Sequence, residues 1–274
     1  MSGLLDEVGV CIGTLGPDPF ADAQNLPEVF DAVEAAGTTS VSLHTFLGAM
    51  HGADKVSSLL ADRGLRAGAL EAALAWSRGA GSDNMLEAEN VVEMAEALGA
   101  EALLTVVLEE QLDRGAAIEG LAQLCELVAP AGVQVCLEWL PWTAMGTIAA
   151  AVDLMEASGA TNIGLTFDTW HWMRQPGGPD FETLDRVDGS RIGFLQLCDV
   201  APTASADVFD EAMTARLLLG DGVVDFAGVL SLLEAKGATP FVATEIFNTS
   251  ILDRGVREAA AAFHDSAVRL RGQR

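Results

Sequence analysis

Eight short runs of apolar and β-branched residues alternate with longer helix-like segments from end to end. No other feature of this chain restricts its fold as strongly. The runs are residues 8–13, 39–44, 66–70, 102–108, 133–139, 163–167, 192–197 and 241–246. Each is nearly continuous in apolar residues, the pattern of a strand covered on both faces, and therefore of a parallel sheet under helices. The segments between them carry helix punctuation. Asn25-Leu26-Pro27 opens one and Ala36-Gly37 closes it; residues 82–98 stop at Gly99. Residues 121–127, 148–157, 226–235 and 256–270 repeat apolar side chains at helical spacing.

Eight β-then-α units in 274 residues predict an α/β fold, a (β/α)8 TIM barrel forming a single domain over residues 1–274. A doubly wound open sheet is the competing arrangement, but no G-x-G-x-x-G follows the first run and no phosphate-binding G-x-x-x-x-G-K-[ST] occurs. Residues 175–179 and 201–210 read as irregular loops after strands six and seven, the second a candidate lid.

Forty Asp and Glu against fifteen Lys and Arg leave a formal charge of −25. Such a field repels nucleic acid and anionic lipid, so the expected partner is a small molecule, with a homo-oligomer left open. No run approaches the ~18 apolar residues of a membrane span, and the first residues lack the pattern of a secretion signal. The cysteines Cys11, Cys125, Cys136 and Cys198 form no CxxC pair and suggest reduced, buried thiols. These features together predict a cytoplasmic protein. Lysine occurs only at Lys55 and Lys236, both on helix surfaces, which argues against Schiff-base and pyridoxal chemistry. No glycine-rich cradle suggests a phosphorylated substrate.

In a barrel of this kind the site lies at the C-terminal ends of the strands. Strand five ends in Leu137-Glu138-Trp139, strand six in Phe167-Asp168-Thr169-Trp170-His171, strand seven in Gln196 with Cys198-Asp199 behind it, and strand eight in Thr244-Glu245-Ile246. Each could be a polar strand end bonded to its own loop. Four successive strands presenting oxygen donors to one rim argue instead for a shared site. Three carboxylates buried together would cost several kcal/mol each without a cation. Glu138, Asp168, Gln196 and Glu245 are thus candidate ligands of a hard divalent metal, Mg²⁺ or Mn²⁺, with Co²⁺ possible. All five tryptophans (Trp76, Trp139, Trp142, Trp170, Trp172) fall at or just past strand ends. They either fill space under the loops or wall a pocket for the apolar face of a ring, with Trp139 and Trp170 as candidate substrate contacts. His44 closes strand two and is a candidate to face the pocket; Glu71 ends strand three and is a weaker candidate for contact with substrate hydroxyls.

Cys136-Leu137-Glu138, Asp168-x-x-His171, the Glu245 strand and Arg216-x-x-x-Gly220-x-Gly222 together resemble the xylose-isomerase-like TIM barrels, over essentially the whole chain. That group includes sugar isomerases, ketose 3-epimerases, inosose dehydratases and isomerases, and endonuclease IV. The resemblance implies metal binding by Glu138, Asp168 and Glu245, and substrate contact by His171 and Arg216. It also implies carbohydrate chemistry through a metal-stabilised enediolate, with Glu138 and Glu245 moving the proton. Gln196 departs from the histidine usual at its position and is similar to the 3-dehydroshikimate dehydratases. Two functions follow: an isomerase or epimerase acting on a ketose or cyclic polyol ketone, or a dehydratase (lyase) of the 3-dehydroshikimate or inosose type. In the dehydratase, His171 would be the general acid or base. Arg216 is expected at the far end of the substrate. Endonuclease IV needs many histidines, whereas this chain has four.

Overall fold

In a computed structural model that describes residues 3–16 and 25–273, eight parallel strands close into one barrel in sequence order. They are β1 (Gly9–Cys11), β2 (Ser40–His44), β3 (Arg66–Ala73), β4 (Ala102–Val106), β5 (Gln134–Glu138), β6 (Ile163–Asp168), β7 (Ile192–Leu197) and β8 (Phe241–Thr244). β1 pairs with β8, which completes the ring.

Alternation along the strands sorts the side chains into two cores. Val41, Leu43, Leu103, Val135, Leu137, Leu165, Phe167, Leu195 and Val242 point outward into the layer shared with the helices. Cys11, Ala69, Leu104, Cys136, Phe194, Phe241 and Ala243 point inward and fill the barrel. Phe194 and Phe241 meet there with ring centroids 5.4 Å apart. The bulk of Phe241 requires a residue without a side chain opposite it: a Cβ on Gly68 would overlap its ring.

The helix boundaries follow local chemistry. Ser82–Leu98 and Phe226–Ala235 span the same residues as their sequence patterns. The first ends at Gly99, whose φ of 68° is the left-handed stop that glycine supplies most easily. Leu26–Ala36 begins with Pro27 in its first turn and ends at Gly37, also left-handed.

Strand ends differ from the apolar runs. β1 stops at Cys11 and residues 12–14 form a 3-10 turn, while β8 stops at Thr244 although Ile246 beyond it is fully buried. Burial and ladder pairing are separate demands, and apolar residues beyond the last pair pack under loops. β3 runs on to Ala73, with a register irregularity against β4. The second expected loop is only partly irregular. Asp207 accepts the amide of Asp210 and starts a helix at Val208–Thr214, and Asp180 likewise caps Phe181–Arg186. All four cysteines are free and buried. Among the described residues no helix is long and apolar enough to cross a membrane.

Candidate active site

The inward positions at the C-terminal rim are polar where those below are apolar. Glu138 ends β5 opposite Val106, and Asp168 ends β6 opposite Gln196 of β7. Glu245 lies one residue past β8, its amide donating to Leu197 O at 2.9 Å. Glu138, Asp168, Gln196 and Glu245 are between 0% and 6% exposed.

Asp168 does two things at once. It is the N-cap of a short helix, Thr169–Arg174, and its Oδ1 accepts the backbone amide of His171 at 2.9 Å. That explains the Asp-x-x-His spacing, because an N-cap side chain reaches the third residue of the turn it opens. The same turn carries the His171 ring to Glu138, where Nε2 approaches Oε1 to 3.5 Å without forming a hydrogen bond. Asp168 Oδ2 accepts from Arg216 Nη1 at 2.8 Å, and that nitrogen also donates to Glu245 Oε2 at 2.7 Å.

Arg216, expected at the far end of a substrate, therefore pairs with two of the carboxylates. Its guanidinium carbon lies 5.5 Å from the Trp170 ring centre and 5.3 Å from that of Phe247. Its Nε donates to Ala212 O, and its backbone amide to Phe247 O. The glycines after it serve a different residue. Asp199 accepts amides from Val200, Gly220, Gly222 and Val224, which folds the loop after β7 around one carboxylate. A Cβ on Gly222 would strike Val200 O and the Asp199 carboxylate.

Gln196 is wholly buried, and its Nε2 donates to Glu245 Oε1 at 2.7 Å while its Oε1 has no partner. Glu138 Oε1 and His171 Nδ1 are likewise buried and unpartnered. Three orphaned atoms in one buried cluster, and three carboxylates against one guanidinium, form a donor set that fits a divalent cation. Glu138, Asp168 and His171 each offer a ligand atom, all within 4.8 Å of one another.

Electrostatics follow from this crowding. Burial, and then the neighbouring Glu245 and Asp168, push the Glu138 carboxyl well above its ordinary range. Burial also raises Glu245, against the pull of Arg216. Asp168 resists its own burial, because Arg216, His171 and the His171 amide hold its carboxyl below the usual range. Burial drives the His171 imidazole down to about 3, with Asp168 opposing and Arg216 assisting, so the ring is neutral at ordinary pH.

The structure thus gathers Glu138, Asp168, His171, Gln196, Arg216 and Glu245 at one place. Trp139 does not join them: strand alternation turns it outward, edge-on to Phe167 with centroids 5.9 Å apart. Trp170 packs beneath Arg216 and beside His171. His44 lies next to Glu71 in the β2–β3 register, stacked on Phe46 and with a buried, unpartnered Nε2. The half-buried Trp142 faces His171 at 5.6 Å and Phe209 at 5.2 Å, and both Trp142 and Phe209 line a surface cavity of about 600 Å³. Sequence reasoning missed Phe209, and also Arg174, whose buried pair with Glu211 at 2.7 Å fastens helix Val208–Thr214 to the helix after β6. No local motif marks either.

A family model described as xylose isomerase-like TIM barrel matches residues 30–266. The inosose isomerase of Halalkalibacterium halodurans is 28% identical over 191 residues, 66% of each chain. The 3-dehydroshikimate dehydratase of Pseudomonas aeruginosa is 31% identical over 169 residues, 61% of this chain but only 24% of that enzyme. The IolI protein, whose crystal structure holds a zinc atom, superposes with a TM-score of 0.76 at 21% identity, covering 89% of this chain and 92% of that one. The D-allulose 3-epimerase of a Methylomonas species, solved with D-allulose, gives a TM-score of 0.76 at 18% identity, covering 98% and 96%. At such identities these two structures share the fold.

Proposed function

Because the chain belongs to the xylose isomerase-like TIM barrel family, we propose that it is a divalent-metal-dependent isomerase or epimerase of a ketose or cyclic polyol ketone. The observation that carries this reading is the pair of buried glutamates, Glu138 on β5 and Glu245 after β8, with Asp168 and Gln196 on the strands between them. A proton shuttle across one carbon needs two acid–base groups on one site, and these two supply them.

A divalent cation bound by Glu138, Asp168, Glu245 and the Gln196 oxygen would supply Lewis-acid stabilisation of negative charge at a ketone oxygen. One glutamate then takes the proton from the carbon beside the carbonyl, and the other returns a proton to complete the isomerisation or epimerisation. Arg216 holds Asp168 and Glu245 in register through a single nitrogen. His171, neutral and with a free Nδ1, is placed to share a hydrogen bond with a substrate hydroxyl. Trp142 offers an apolar surface beside it for a ring face.

A dehydratase is the second reading, and Gln196 is the residue that favours it. Elimination begins with the same proton abstraction by one glutamate, and the electron pair then expels a β-hydroxyl, which leaves as water with the proton held by the other glutamate while the neutral His171 hydrogen-bonds it. The similarity to 3-dehydroshikimate dehydratases also supports this branch.

The test uses protein purified without chelator, assayed for metal content and then incubated in D₂O with ketoses, inososes and 3-dehydroshikimate. Deuterium entering beside the ketone without loss of water is the expected result. Formation of an unsaturated product moves the assignment to dehydratase. Absence of exchange with every substrate, metal supplied, would overturn both.

A further inference from the structure

Glu71 is a buried acid that the chemistry proposed above does not use. It pairs with His44 at the end of the β2–β3 ladder and is 8% exposed. Ser42 Oγ donates to its Oε1. One of its carboxylate oxygens lies within 4.8 Å of one from Glu245, which places it at the same barrel mouth. Among the described residues Glu71 forms no ion pair; the guanidinium of Arg216 serves Asp168 and Glu245.

The charge of the mouth follows from these contacts. Glu71, Glu138, Asp168 and Glu245 stand against one guanidinium, that of Arg216, and His171 is neutral. Their formal charge is −3, which a divalent cation on Glu138, Asp168 and Glu245 reduces to −1. Arg174, in the helix after β6, is engaged by Glu211 and by the carbonyl of Ala201. Among the described residues no other lysine or arginine pairs with the four acids. A substrate hydroxyl and a substrate carboxylate fare differently here. The hydroxyl donates to a carboxylate oxygen, whereas the carboxylate has no proton to give and meets like charge where little water screens it.

We infer that Glu71 is a specificity-determining residue, which accepts a hydroxyl of a neutral polyol ketone and excludes substrates that carry a carboxylate. The inference rests on the metal-site reading above and narrows it. A neutral inosose suits the charge of this mouth, and the anionic 3-dehydroshikimate opposes it. The selection concerns charge and not the fate of the enolate: loss of water from a neutral ring is compatible with it. Ser42 supports the role, because its hydroxyl fixes one Glu71 oxygen and so orients the carboxylate.

The experiment measures, by titration calorimetry, the binding of shikimate and of its methyl ester to the full-length chain loaded with Mn²⁺. The two ligands share a ring and its hydroxyls and differ in charge; neither has a ketone, so binding is read without turnover. The expected result is a Kd for the ester about tenfold or more below that for shikimate. Glu71→Gln should close this gap to within about threefold, and Glu71→Asp, which keeps the charge, should preserve it. The wild-type ratio tests the exclusion even where E71Q does not fold. Shikimate binding as tightly as its ester, or an undiminished preference in E71Q, would overturn the inference and leave the metal-dependent isomerase standing. Binding of neither ligand would overturn it together with the polyol reading. An intact charge preference without deuterium exchange on any ketone would instead remove the reaction and keep the role of Glu71.

Discussion

Arg216 donates through Nη1 to Glu245 Oε2 at 2.7 Å, and both side chains are almost wholly buried, at 3% and 8% exposure. The same nitrogen reaches Asp168. One guanidinium therefore serves as the resident counter-charge of two carboxylates on strands that are not neighbours in the barrel. Removing it leaves both acids buried without compensation, a loss of about 3–5 kcal/mol for a broken buried pair. Arg216→Met is expected to lower the stability of the metal-free protein by that order, and added Mn²⁺ to recover part of it. Denaturant unfolding with and without Mn²⁺ measures both, and a variant as stable as the wild type without cation refutes the role.

Glu245→Gln keeps an oxygen toward Arg216 and removes the proton carrier. Deuterium exchange at the substrate carbon should fall by about 10²–10⁴-fold, the range of a lost general acid–base group. Circular dichroism should be unchanged. Substantial retained exchange would remove Glu245 from the chemistry.

The pH dependence of the metal-free protein follows from Glu138, whose carboxyl is pushed up by burial and by Glu245 and Asp168. A carboxyl with a folded pKa above its unfolded value holds its proton more tightly when folded. Its contribution is complete below the ordinary value of 4.5 and is lost as pH rises toward the folded pKa. Wild-type stability in chelator should therefore decline relative to Glu138→Gln as pH climbs from acid to neutral. Thermal unfolding of both proteins across that range checks the sign, and parallel curves would contradict it.

The Arg174–Glu211 pair holds the segment after β7 over the site: Arg174 also donates to Ala201 O, and Glu211 accepts the Ser205 amide. Glu211→Ala leaves Arg174 buried and unpaired. Opening of residues 201–214 should become easier by about 3 kcal/mol, within the range for a broken buried pair. Hydrogen exchange of the amides in this segment reads the change directly, and protection equal to wild type would show that the pair does not secure it.

Much of the site is visible in sequence because strand ends are local features. Glu138, Asp168, Gln196 and Glu245 each close an apolar run, and the order of runs puts them on adjacent strands of a closed sheet. Trp139 shows the limit of that reasoning. It follows Glu138 directly, and a period of two residues sends neighbours to opposite faces, so nearness in sequence means separation in space. Cys11 shows the converse: it looks like any small apolar residue of a strand, and only closure of β1 against β8 brings its thiol near the Glu245 carboxylate.

The sequence by itself determined the eight-fold alternation, the helix stops at Gly37 and Gly99, and the presence of four oxygen donors on successive strands. These are decided by periodicity and by backbone geometry within a few residues. Tertiary structure decided which charges meet. Arg216 lies 48 residues from Asp168 and 29 from Glu245. No local rule specifies that a guanidinium in the loop after β7 will reach both, because that contact depends on barrel closure and on the loop that Asp199 folds from the amides of Gly220, Gly222 and Val224.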